Sequence, residues 1–191
     1  MKVLAINGSA RKDGNTAAML RAALAPIEAA GIETELLQLH GKNIHGCIAC
    51  MKCWEKKDGH CVVKNDMLNE IMDKMVAADG MLIGSPTYFA NVTSNIKSII
   101  DRAGMVALAN GYALARKVGA AVVAVRRGGA IAVFDAINHF YFINQVVVPG
   151  SSYWNLGIGL NKGDVANDAE GMETMAALGR TMAWALRRLH S

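Results

Sequence analysis

Apolar positions along the chain follow two alternating rhythms. Short, nearly continuous runs recur at Lys2–Asn7, 33–39, 80–84, Val118–Val125 and 145–148. Each is strand-sized, and each is bounded by glycine, asparagine or charge. Between them lie stripes at three- and four-residue spacing. Met19, Leu20, Ala23, Leu24 and Ile27 predict a helix over 15–30, stopped by Gly31. Asn65 or Asp66 caps a second helix carrying Leu68, Ile71, Met72, Met75 and Val76. Ile96, Ile99, Ile100 and Ala103 mark a third, closed by Gly104, and 130–144 a fourth. Residues 167–189 form the last, with Arg187 and Arg188 at its negative end. The run at Val118–Val125 is the most continuous, as a central strand covered on both faces requires. Residues 40–64 show neither rhythm.

Five strands with intervening helices predict a parallel sheet with right-handed crossovers, a doubly wound α/β fold. Such sheets take ligands beyond the carboxyl ends of their strands, near the switch in strand order. At 191 residues the chain is expected to be one domain, 1–191, with an insert at 40–64. Hydrophobic residues make 52% and charged residues 19%, which excludes intrinsic disorder. No apolar run has the length of a membrane span, and no export signal is visible, so a cytoplasmic location is expected. The net charge of +4 is not gathered into one block and argues for no nucleic-acid partner.

The loop after the first strand reads Gly8-Ser9-Ala10-Arg11-Lys12-Asp13-Gly14-Asn15-Thr16 and opens a helix. Free backbone N–H groups and the positive helix end make an anion site there. Ser9, Asn15 and Thr16 add short donors, and Arg11 and Lys12 add charge. Neither the dinucleotide spacing G-x-G-x-x-G nor the Gly-Lys-Ser/Thr ending of a triphosphate loop is present, so a monophosphate fits best. The plainer alternative is a capped turn. The loop Ser85 to Thr93 places Pro86, Thr87, Tyr88 and Phe89 at the end of the third strand. A flat heteroaromatic ring could stack there, or the aromatics could simply cover the core.

All four cysteines fall between positions 47 and 61, as C-x2-C-x2-C-x7-C. Without an export signal they read as metal ligands or redox thiols rather than disulfides. Three cysteines two residues apart can wrap one face of an iron–sulfur cube, with a distant fourth completing it. Zinc more often uses two separated pairs, and free thiols remain a third reading. His45 and His60 flank the group, but four thiolates already suffice. Lys52, Lys56 and Lys57 stand beside it, as a docking face for an acidic carrier or as a solvated surface.

On the stretches GSARKDGNT, ADGMLIGSPTYFANVTSNIKSIIDR and VRRGG, the chain resembles the flavodoxin-like NAD(P)H-dependent FMN reductase superfamily. The likeness is good over about residues 1–130 and looser beyond. It implies a flavodoxin-like sheet of order 2-1-3-4-5 and an FMN-dependent oxidoreductase. It places the FMN phosphate on Ser9, Arg11, Asn15 and Thr16. Pro86, Thr87, Tyr88 and Phe89 would line the isoalloxazine, and Arg127, Gly128 and Gly129 would close its other edge. The cysteine spacing is similar to that of the iron–sulfur flavoprotein branch, which implies a [4Fe–4S] cluster on Cys47, Cys50, Cys53 and Cys61. Electrons would come from NAD(P)H or ferredoxin and pass to a quinone, an oxygen species or free flavin. The alternatives are a cluster-free NAD(P)H-dependent FMN or quinone reductase and a flavodoxin-like carrier. A homodimer or homotetramer is implied, since the superfamily builds flavin pockets at subunit contacts. Met105 to Tyr112 is a candidate subunit contact, and Tyr153 and Trp154, in a glycine-rich loop after the fifth strand, could wall the flavin of their own or a partner subunit or simply plug the end of the sheet. The pair Asp101–Arg102 reads as packing or interface charge.

Overall fold

The computed structural model describes residues 1–190. Strands β1 (Lys2–Asn7), β2 (Glu33–Gln38), β3 (Gly80–Pro86), β4 (Val118–Val125) and β5 (Leu156–Ile158) form one parallel sheet in the order β2-β1-β3-β4-β5. Helices α1 (Asn15–Ala29) and α6 (Ala169–Leu189) pack against one face. Helices α3 (Leu68–Ala77), α4 (Ser94–Ala109) and α5 (Ala130–Ile143) cover the other. A short α2 (Lys52–Lys56) lies in the insert, and a 3-10 turn (Asp164–Asn167) precedes α6.

Each element follows from its side chains. All eight residues of β4 are buried, as its unbroken apolar run requires. Thr93 caps α4, its hydroxyl accepting from the N–H of Ile96, and Asp168 caps α6 by accepting from Gly171. The sheet register aligns Asn7 with Gly84, and Val125 with Ile158. The loops after β1, β3 and β4 therefore meet on one rim. Two glycines make that meeting possible. A Cβ on Gly8 would fall 2.2 Å from Ile96 of α4, and one on Gly84 would fall 2.7 Å from Leu20 of α1.

Three expectations need correction. The fifth strand is not at 145–148. Val147 makes one parallel bridge to Val118, donating its N–H to the Lys117 carbonyl at 2.8 Å. Pro149, which has no N–H to give, interrupts the ladder, and the chain pairs again only at β5. The segment with Tyr153 and Trp154 thus precedes the strand rather than following it. Secondly, α4 does not end at Gly104. It runs on to Ala109, and Gly104 faces the Phe140 ring of α5. Thirdly, α3 starts at Leu68 with Met67 at its cap position. Asp66 accepts from the Leu68 N–H at 3.1 Å, but its other oxygen is engaged elsewhere.

Candidate functional site

A crevice of about 190 Å3 opens at the carboxyl ends of β1, β3 and β4. Ser9, Arg11, Asn15, Thr16, Pro86, Thr87 and Tyr88 line it, together with Arg126 and Leu160, which sequence reasoning did not select. The turn between β1 and α1 is self-organised. Asn7 accepts from the Ser9 N–H at 3.0 Å, and the Ser9 hydroxyl accepts from the Arg11 N–H at 3.1 Å. Helix α1 has no capping side chain, and its first backbone bond is donated by Ala18 to Gly14. The N–H groups of Asn15, Thr16 and Ala17 therefore have no acceptor within the helix.

Two predicted phosphate residues have other tasks as well. The Arg11 guanidinium donates to the Leu160 carbonyl at 3.0 Å. Asn15 donates to the Asn161 carbonyl at 2.9 Å and accepts from Gly163 at 2.9 Å. Both fasten the segment after β5 across the mouth of the crevice. On the opposite side, the Thr87 N–H donates to Ala124 at 2.8 Å, while the Thr87 hydroxyl is buried with no partner among the described residues. A buried hydroxyl left unpaired is costly and points to a missing ligand or water.

The aromatic turn divides. Tyr88 and Asn91 exchange backbone hydrogen bonds, and the turn between them puts Phe89 and Ala90 at positive φ. Tyr88 faces the crevice, whereas Phe89 projects fully into solvent and does not line it. Arg127 and Gly128 line an adjoining hollow of about 240 Å3 with Arg126. Gly129, in the left-handed conformation that opens α5, lies against Ala90 and Thr87. Tyr153 and Trp154 stack on each other with centroids 4.8 Å apart, away from the crevice of their own chain.

The cysteine insert forms a second site. Cys47, Cys50, Cys53 and Cys61 all line one hollow of about 560 Å3, walled by Val62, Ile100, Met105 and Phe140 among other apolar residues. Ala49 and Met51, flanking Cys50, take left-handed backbone angles that wind the chain around it. Burial pushes the Cys53 thiol above its ordinary pKa, and the neighbouring Cys50 and Cys61 push in the same direction. Among the described residues, no three Cys, His, Asp or Glu side chains are grouped to hold a single ion. Neither flanking histidine lines the hollow: His60 is bonded to Asp73 at 2.7 Å, and His45 meets Asp66 through its backbone.

What fastens the insert is a polar stripe along α4 and its C-cap, of which only Arg102 stood out in the sequence, as packing or interface charge. Asn95 bonds the backbone of Lys42 and Ile44, and Asn110 accepts from Gly59. Arg102, with 1% of its side chain exposed, pairs with the fully buried Asp66. It also donates to the carbonyls of His45 and Val63, at 3.0 Å each, and to Cys61 Sγ at 3.4 Å. Burial pushes the Asp66 carboxyl up, but the guanidinium and the N–H groups of His45 and Leu68 outweigh it, leaving its pKa below the ordinary value. The signal was legible: polar residues at 95, 102 and 110 recur near multiples of seven, on one face of a helix. The neighbouring Asp101 is different, being paired with Lys97 at 2.6 Å on the exposed side.

A doubly wound sheet of order 2-1-3-4-5 with its crevice beyond β1 and β3 is the flavodoxin-like architecture. Among solved structures, that of RosB with a bound flavin phosphate intermediate superimposes with a TM-score of 0.76 at 19% identity, covering 100% of this chain and 80% of that one. Residues 1–160 match the NADPH-dependent FMN reductase family, and the chain belongs to it. It is 39% identical over 190 residues to an iron-sulfur flavoprotein of Methanocaldococcus jannaschii, covering 96% of each chain. A second iron-sulfur flavoprotein, from Methanosarcina thermophila, is 33% identical over 178 residues, 92% of this chain and 90% of that one. Family membership makes the chain a flavin-dependent oxidoreductase, in a family named for a nicotinamide donor. No helix among the described residues is long and apolar enough to cross a membrane.

Proposed function

We propose that the chain is an FMN-dependent oxidoreductase of the iron–sulfur flavoprotein type. FMN is seated in the crevice at the rim of the sheet, and a [4Fe–4S] cluster is held by Cys47, Cys50, Cys53 and Cys61. The observation that carries this reading is the convergence of every cysteine in the chain on one apolar hollow. A single zinc ion draws its four ligands to one centre. A cube gives each thiolate its own iron at a separate corner, a role that four thiols lining one hollow can fill.

The crevice fits FMN on its own chemistry. The unpaired N–H groups at the start of α1, with Ser9, Thr16 and Arg11, suit a dianionic phosphate. The unpartnered Thr87 hydroxyl is placed to bond a polar edge of the ring, and Tyr88 to flank it. Arg126, Arg127 and Gly128 line the solvent side, where a second reactant enters. Bound flavin exchanges electrons singly or in pairs and a cluster exchanges them one at a time, so together they join two kinds of partner. NAD(P)H or ferredoxin serves as donor, and a quinone, an oxygen species or free flavin as acceptor. The reading includes a homodimer or homotetramer; the exposed Ile48, Met51, Phe142 and Ile143, at or beside the cysteine hollow, support a subunit contact there. It also places the protein in the cytoplasm, where four thiols stay reduced.

One observation favours a second reading. The thiols are not gathered tightly, which suits a cluster-free NAD(P)H-dependent reductase with free cysteines. Anaerobic purification with iron, sulfide and flavin analysis decides between them. Four irons and four sulfides per FMN support the cluster. FMN without iron after reconstitution leaves the plain reductase.

A further inference from the structure

We propose that Arg102 is the positioning residue for the fourth thiolate, and that its Nε–H bond to the Cys61 sulfur sets the potential of the cluster. The proposal rests on the [4Fe–4S] reading given above. Guanidinium is a planar fork with five donors in fixed directions. Here one Nη donates to Asp66 and to the His45 carbonyl, and the other to the Val63 carbonyl. With the plane fixed on those three acceptors, the remaining Nε–H points at Cys61 Sγ, 3.4 Å away.

Cys61 is fixed independently. Asn69 accepts from its N–H at 2.8 Å and donates to its carbonyl at 2.9 Å. Donor and sulfur are thus held from opposite sides, Arg102 by α4 and Cys61 by α3. Among the described residues, no other cysteine sulfur receives a side-chain hydrogen bond; Cys47 Sγ accepts only the backbone N–H of Ala49. Fastening a carbonyl to α4 does not need a cation, since the neutral amide of Asn95 holds the Lys42 carbonyl elsewhere on the same helix. A buried guanidinium is expensive to place in an apolar wall. Its charge has a use if the sulfur it touches becomes more negative.

Reduction adds one electron to the cluster, breaks no bond and moves no proton. The added negative charge strengthens an N–H···S bond from a cation. Such bonds to cluster sulfurs favour the reduced form and raise the potential. Among the described residues Arg102 is the one arginine lining the hollow, so the effect is assignable to it.

The test uses the full chain reconstituted anaerobically with iron and sulfide, followed by a potentiometric titration read by electron paramagnetic resonance. Arg102→Gln is expected to keep four irons and to show a lower midpoint potential. Arg102→Lys, which keeps charge but loses the fork, is expected to fall between. Loaded variants at the wild-type potential overturn the proposal and leave the cluster reading standing. If the variants do not load, wild-type protein labelled with 15N-arginine replaces them. Pulsed resonance on its reduced cluster is expected to show a 15N coupling, and none overturns the proposal. A wild-type protein that never takes up four irons sinks the cluster reading and this proposal with it.

Discussion

Asp66 and Asp101 flank the same arginine and offer a paired experiment. Asp66 is wholly buried against Arg102, and Asp101 sits one residue before it on the exposed side, bonded to Lys97. Replacing Asp66 by Asn keeps the shape but leaves the guanidinium with two carbonyls and a thiol. Removing one partner of a buried pair costs about 3–5 kcal/mol. The Asn oxygen still accepts one of the two N–H bonds, from His45 or Leu68, and loses the other, which adds about 1 kcal/mol and brings the expected cost to about 4–6 kcal/mol. For a chain of this length each kcal/mol shifts Tm by about 2–4 °C, so a fall of roughly 8–24 °C is expected. Asp101→Asn breaks a solvent-exposed i,i+4 pair worth about 0.3–0.5 kcal/mol, and Tm should move by about 2 °C at most. Urea unfolding followed by circular dichroism, at saturating FMN in every sample, measures both without a change in ligand linkage. An Asp66→Asn protein within about 1 kcal/mol of wild type, or one no weaker than Asp101→Asn, would refute the role given to the buried pair.

Four further outcomes are expected. Arg11→Ala should weaken FMN binding by about 1–3 kcal/mol, read by flavin fluorescence quenching; unchanged affinity removes Arg11 from the phosphate site. Thr87→Val removes a hydroxyl that has no protein partner, so the flavin-free protein should lose no stability while FMN affinity drops by about 1 kcal/mol. Equal affinity would mean that hydroxyl does not touch the ligand. Gly84→Ala drives a Cβ to 2.7 Å from Leu20 and 2.9 Å from Thr16, and should cost about 1–3 kcal/mol in unfolding free energy. Acid should also act through Asp66. Its native pKa lies below the ordinary value, so the unfolded chain takes the proton first. The pair's contribution is complete above about pH 4 and is lost as pH falls through the native pKa. In an acid titration of stability, Asp66→Asn should therefore show a flatter slope than wild type.

The parts of the fold written in local patterns were legible, and the parts written in long-range contacts were not. β4 announced itself because a strand covered on both faces reads as a nearly continuous apolar run. The β1–α1 loop did so because a helix start with glycine and short polar residues has few other uses. The fifth strand misled. Its apolar run pairs at one residue only, and the pairing segment LGI is too short to carry a period. Gly104 misled for a related reason, since a glycine that ends a helix and one inside a helix facing a neighbouring ring look alike until the neighbour is known. Arg102 was noticed and read as packing or interface charge, and its partners lie 36 to 57 residues away, beyond any local motif. Phe89 was grouped with Tyr88 on the family resemblance, and the turn sends them apart.

Both rims of the sheet bear on how this protein behaves when crowded. A long, flat border of free N–H and C=O groups invites a stranger's chain to join it, the route by which β-rich proteins aggregate. On the β5 side that border is cut into one bridge and three residues, parted by a proline-containing excursion. On the β2 side it carries Glu33 and Glu35, held by Lys2 and Lys74. Neither side offers a stretch long and neutral enough for another copy to extend the sheet strand by strand.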